Sequence, residues 1–154
     1  MRQQLQALVY TKAAAAAITN RPVLEVKVWA HVVFVKFIKG SPRFVSKKAF
    51  RKEFADSRRR RGQQIKEAGL VQQQPVCFDS FLVQSSQRFD LYLVQTEDHC
   101  VSCTCPDWER QREAGIPTPT CKHGYAVLNT LGFSKLTEYV RQRKYDRQLA
   151  CDRT

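Results

Sequence analysis

The strongest constraint on this chain is the stretch CTCPDWERQREAGIPTPTCKH, from Cys103 to His123. Two cysteines stand one residue apart, fifteen residues follow, and a cysteine and a histidine again stand one residue apart. If these four side chains meet, the segment between them must close on itself and two backbone elements must end side by side. Three chemistries use such residues: a disulfide, a metal site, or a thiol nucleophile with its imidazole base.

Cysteine placement narrows the choice. Of six cysteines, Cys100, Cys103, Cys105 and Cys121 bunch in one segment, while Cys77 and Cys151 stand apart. The N-terminal MRQQLQALVYTKAAAAAIT has an apolar run, but Lys12 interrupts it and three glutamines dilute it. It reads as an alanine-rich helix or arm rather than a secretory leader. No apolar stretch is long enough for a membrane helix. Clustered Cys and His in an intracellular protein point to metal before disulfide. A nucleophile pair such as Cys77 with His31 has no local support.

Zinc takes four tetrahedral donors, and thiolate and imidazole suit it. Cys103 and Cys105, at i and i+2, share one face of an extended segment, so both sulfurs can reach one ion. Cys121 is expected at the very edge of a helix, where unpaired N–H groups favour a thiolate, with His123 in the same turn. Four protein donors fill the shell, so the site reads as structural rather than catalytic. Asp107, Glu109 and Glu113 in the loop could act as bases, but the H-x-E and P-C-x-x-C pattern of nucleobase deaminases is missing. No P-loop, dinucleotide fingerprint or hydrolase elbow occurs either, so no enzyme is expected. Cys100 is expected to pack in a strand and His99 to lie in a turn, with an alternate-ligand role as the other reading.

The run C-T-C-P-D-W, then C-K-H-G-Y-A-V-L, resembles the SWIM-type zinc finger, in which C-x-C, a variable loop and C-x-H sit on a ββα unit. The resemblance spans about residues 80–131. It implies Cys103, Cys105, Cys121 and His123 as ligands of one structural Zn2+. It also implies a role in nucleic-acid or protein interaction, as in chromatin remodelers, Mutator-type transposases and recombination accessory proteins.

Charge supplies a second, separate signal. The chain of 154 residues carries a net charge of +12 at pH 7. Residues 39–66 hold eleven Lys or Arg and two acids, whereas residues 97–121 hold two Arg and five acids. The basic surface is therefore built away from the metal segment. Lys47, Lys48, Arg51, Lys52, Arg58, Arg59, Arg60 and Arg61 are the candidate phosphate contacts. The acidic Asp107–Glu113 loop is the candidate docking site for a protein partner. DNA is favoured over RNA as the partner; sequence reading is not expected, because no helix-turn-helix or RNA-recognition signature occurs.

With 43% hydrophobic residues the chain can bury an ordinary core. Val23–Gly40 is β-branched and reads as one long strand, or two joined near Ala30–His31, with Val26, Val28, Ala30, Val32 and Phe34 in one register. Trp29, Phe34 and Phe37 are expected in the core, with base stacking as the alternative. Ser46 is the expected N-cap of a helix with an Ala49, Phe50 and Phe54 stripe that weakens at Gly62. Residues 72–75 read as a linker. A hairpin follows over Phe81–Gln95, turning at Ser85–Gln87, with Phe89, Leu91 and Leu93 alternating. A strand over Cys100–Cys105 ends at Pro106, a loop leads to Thr120 as N-cap, and a last helix spans 134–149 with Leu136, Tyr139 and Val140 inward. The class is α+β, divided into a basic N-terminal region (1–75), a zinc-binding unit (76–133) and a basic C-terminal helix (134–154).

Overall fold

The computed structural model describes residues 2–85 and 90–151. It is an α+β protein with two antiparallel sheets, and it separates into two compact units. One comprises Met1–Ser57 with Glu113–Ile116; the other comprises Arg58–Arg112 with Pro117–Thr154.

In the first unit, helices α1 (Arg2–Val9) and α2 (Lys12–Thr19) precede a meander of β1 (Val23–Val28), β2 (Val32–Phe37) and β3 (Arg43–Ser46). Thr11 starts α2 by accepting the Ala14 N–H at 3.1 Å. The chain reverses at Trp29–His31, closed by the Trp29 N–H to Val32 O bond of 2.9 Å. That reversal breaks the single register expected through Ala30. Val33, Val35 and Phe37 are the buried residues of β2, and Val32 and Phe34 are only half-buried. Phe37 is core as expected. Trp29 and Phe34 are not: they lie with Phe44 on the opposite face, Trp29 being 51% exposed. The inner face packs against Val9, Ala15, Phe50 and Phe54.

Helix α3 (Lys47–Glu67) begins as expected, with Ser46 Oγ accepting the Ala49 N–H at 3.2 Å. It does not weaken at Gly62. A Cβ there would stand 2.6 Å from Tyr125 Cβ and 2.8 Å from Lys122 O, so the glycine is a close-approach residue rather than a breaker. The helix ends instead at Gly69, at φ +67°, where Gly69 N–H bonds Lys66 O and Leu70 N–H bonds Ile65 O, a Schellman cap.

The second unit carries a four-stranded meander of β4 (Val71–Gln73), β5 (Ser80–Gln84), β6 (Leu91–Thr96) and β7 (Val101–Cys103). Gln72–Pro75 is thus no simple linker, since Val71–Gln73 pairs with Val83–Phe81. Ser85 N–H bonds Asp90 O across the hairpin; the rest of its expected turn, and Phe89, lie outside the described residues. The buried residues of β6 are Val94 and Thr96, with Tyr92 packed on the core, while Leu91 is 62% exposed, the reverse of the expected alternation. Helix α4 (Pro106–Glu113) replaces the expected loop, and α5 (Lys122–Thr130) and α6 (Leu136–Cys151) follow. Tyr125, Ala126, Val127 and Leu128 of α5 pack on the sheet with Phe81, Val83, Val94 and Val101. Tyr139 is buried there, and Leu136 and Val140 pack against the same core. No helix among the described residues is long and apolar enough to cross a membrane.

Candidate metal centre

Three backbone ends converge on one point. Cys103 closes β7, Cys105 lies two residues on, immediately before α4, and Cys121 is the N-cap of α5, with His123 in its first turn. The N-cap is Cys121 and not Thr120, because the Cys121 sulfur itself accepts the Gly124 N–H at 3.4 Å. Cys105 does the same for α4, accepting the Trp108 N–H at 3.4 Å. Two sulfurs therefore sit at the positive ends of two helices, which favours thiolates. Pro106 at the first helical position, with Asp107 and Glu109 in the first turn, explains why α4 forms where a loop was expected.

All four side chains are at least 95% buried, and their donor atoms lie within 4.8 Å of one another. His123 Nδ1 is 3.9 Å from Cys103 Sγ and 4.0 Å from Cys121 Sγ. Two donors bound to one tetrahedral ion, at about 2.0–2.3 Å each, stand roughly 3.6 Å apart, so a small contraction brings the set onto an ion. The imidazole is clamped by Tyr92, stacked at 4.6 Å between centroids, and its Nε2 is buried without a hydrogen-bond partner among the described residues. The ring thus aims Nδ1 at the sulfurs. The donor set fits a metal ion, and these four residues can hold one.

The sulfurs also perturb one another. Cys103 is pushed up to about 12, first by its hydrogen bond to Cys105. Cys121 is also raised, first by its bond to Cys103. Cys105 is held well below the usual thiol range, first by the bond from Cys103. One thiolate supported by two thiols is what a buried cluster of this kind favours. A cation would take the place of the remaining protons.

A polar lattice holds the two helices to the site. Trp108 Nε1 donates to Val101 O at 3.0 Å, tying α4 to β7. Gln111, 99% buried, accepts from Thr120 N–H at 3.1 Å and donates to Asp107 Oδ2 at 3.2 Å. Asp107 in turn receives two bonds from Arg58, at 3.0 and 2.7 Å. Gly124 leaves room at the site, since a Cβ would lie 3.3 Å from Val101 Cγ1. Trp108 stood out in the sequence only as the aromatic of the C-T-C-P-D-W motif, and Gln111, Tyr92 and Gly124 were given no role there. Only C-x-C-P-D-W itself hinted that something follows the cysteines closely.

The second candidate set divides. Lys48, Arg51 and Lys52 are exposed in the first unit, and Arg60 and Arg61 are exposed in the second. Lys47 donates to Ala30 O at 2.8 Å. Arg58, with a side chain only 14% exposed, faces Asp107 rather than solvent. Arg59 is half-buried with its guanidinium over the Tyr125 ring. The Asp107–Glu113 segment is helical, with Asp107 engaged as above and Glu109 paired with Arg112.

Two further features lie in the second unit. A cavity of about 530 Å³ is lined by Arg59, Lys135, Arg141 and Lys144 and, among the described residues, by no carboxylate. Glu97, His99 and Cys100 form a second, surface cluster of donors, in which the Cys100 thiol is pushed up to about 11 by burial and by its bond to Glu97. Cys77, Cys100, Cys103, Cys105 and Cys121 are free thiols.

No family model, curated protein or solved structure matches this chain.

Proposed function

We propose that this chain is an intracellular zinc-binding accessory protein that binds nucleic acid, DNA before RNA, by contacts to phosphates. The closed Cys103, Cys105, Cys121 and His123 set supports zinc, because three thiolates and one imidazole suit Zn2+ and leave no open position for chemistry. The likeness of CTCPDW and CKHGYAVL to SWIM-type zinc fingers supports the same ion.

The observation that carries nucleic-acid binding is the exposed row of Lys48, Arg51 and Lys52 on α3. At i, i+3 and i+4 they project from one side of the helix, and each can neutralise a phosphate and release counterions. The cavity beside α6 adds a second basic surface, formed by Arg59, Lys135, Arg141 and Lys144, with Lys135 paired to Glu138. A protein-docking role for residues 107–113 draws on fewer groups, since Asp107 is committed to Arg58 and Gln111.

The test is fluorescence anisotropy of labelled single- and double-stranded DNA and RNA at low and moderate salt. Charge reversal at Lys48, Arg51 and Lys52 should weaken binding and lower the salt slope by about one per phosphate contact removed. Wild-type protein that binds no nucleic acid at low salt sinks the reading.

A further inference from the structure

The solvent face of the β1–β2–β3 sheet is built unlike its inner face. Val33, Val35 and Phe37 supply the core on one side. On the other, Trp29, Phe34 and Phe44 form an aromatic cluster. The Trp29 and Phe34 rings stack at 5.9 Å with 8° between planes, and Phe44 lies 5.1 Å from Trp29 and 5.7 Å from Phe34. Phe34 and Phe44 are directly opposed across the strand pair. Such a cross-strand aromatic pair stabilises the sheet, which explains why the rings meet. It does not explain why Trp29 and Phe44 stay 51% and 58% exposed.

The edges of this cluster carry three lysines and one acid, Glu25, which stands opposite Lys36 on β1. Lys36 follows Phe34 on the same face of β2, two residues along, and is exposed. Lys27 is opposite Phe34 on β1; its ammonium is 3.2 Å from Glu25, yet its side chain is 59% exposed. Lys47 holds the turn next to Trp29 through Ala30 O. Flat aromatic faces rimmed by lysines match a polymer of flat aromatic units on an anionic backbone.

From this juxtaposition we infer that the outer sheet face, Trp29, Phe34 and Phe44 with Lys27 and Lys36, is a stacking platform for a single-stranded nucleic acid. A duplex stacks its bases on each other and offers no free base face, so only an unpaired strand can use these rings. The inference deepens the proposed function by assigning the form of nucleic acid and the residues that touch its bases. It also reassigns two aromatics that strand spacing marks as core.

The test uses the full chain with labelled oligo-dT, oligo-rU and a mixed-sequence duplex, read by anisotropy and by tryptophan emission at two salt concentrations. The variants are Trp29→Ala, Phe44→Ala, their double variant and, as an exposed apolar control in the other unit, Val76→Ala. Circular dichroism confirms folding, which exposed positions should not disturb. We expect single strands to quench the emission that Trp29→Ala removes, and the duplex to leave it unchanged. Trp29→Ala and Phe44→Ala should each weaken single-strand binding by about five- to a hundred-fold, and Val76→Ala should not.

Quenching with a shallow salt slope supports the platform while overturning the α3 phosphate contacts. Single-strand binding as tight in the double variant, with wild-type emission unquenched, overturns the platform and leaves the phosphate contacts standing. Absence of any binding overturns both. Emission that then shifts with protein concentration assigns the face to a second copy of the chain.

Discussion

The two units solve the same problem with different materials. The first closes a three-stranded sheet with hydrocarbon alone: Val9, Ala15, Val33, Val35, Phe37 and Phe50 are buried together, and no metal-ligating cluster occurs there among the described residues. The second builds its core around three cysteines and sets four polar donors where β7 ends and α4 and α5 begin. A core of the first kind needs only shape and apolar area. One of the second kind places thiols and an imidazole out of water, which is unfavourable unless a cation or shared protons satisfy them. An ion held by these four donors would add to the stability of the second unit and not to that of the first.

Removing the metal breaks this comparison most sharply. If the proposed zinc is bound, Cys103→Ser or His123→Ala should lower zinc content and expose amides across residues 80–131 to exchange, while β1–β3 keep their protection. Structural zinc in finger peptides is worth about 10–16 kcal/mol in apparent binding free energy, so even a fraction of that exceeds the stability of a small lobe. Full zinc content with an unchanged melting curve in either variant would sink the claim. Phe50→Ala is the counterpart in the first unit. It should cost about 3–5 kcal/mol in urea denaturation of that unit, with zinc stoichiometry intact.

Gly62→Ala sharpens the contrast by sign. In an open helix the change stabilises by up to about 1 kcal/mol. Here the new methyl meets Tyr125 Cβ and the α5 backbone, so a net loss of about 1–3 kcal/mol is expected. A rise in the urea midpoint would show that α3 and α5 can move apart freely.

The smallest effect separates two neighbouring arginines. Arg58→Ala should destabilise the second unit by about 1–2 kcal/mol, because Asp107 loses both bonds from Arg58 and keeps only that from Gln111, and should leave the salt slope of nucleic-acid binding unchanged. Arg61→Ala, at an exposed position, should stay within about 0.5 kcal/mol in stability. Equal stabilities would mean that the Arg58–Asp107 pair contributes nothing.

Much of the site was legible because its signal is local. Cys103, Cys105, Cys121 and His123 are told by residue type and spacing, and Cys121 at a helix edge follows from where unpaired N–H groups lie. The hairpin, the Ser46 cap and the inward Tyr139 were legible for the same reason. Less visible was anything that depends on phase. A three-residue reversal at Trp29–His31 turned Phe34 outward, and β6 buries Val94 and Thr96 where Leu91 and Leu93 seemed the apolar set. Helix α4 hid behind Gly and Pro counts, although Pro106, Asp107 and Glu109 formed a helix start. Gly62 read as a breaker because its neighbour across the core, Tyr125, is 63 positions away in the chain.

By itself, then, the sequence determined the α+β class, the four donors and the separation of a basic segment from an acidic one, since residue chemistry and short spacings carry all three. Only the tertiary structure decided which cations face solvent, which arginine serves Asp107, and which aromatics lie outside the core. Those depend on what arrives from distant parts of the chain, and no local pattern encodes the neighbour that will fill, or leave open, a given face.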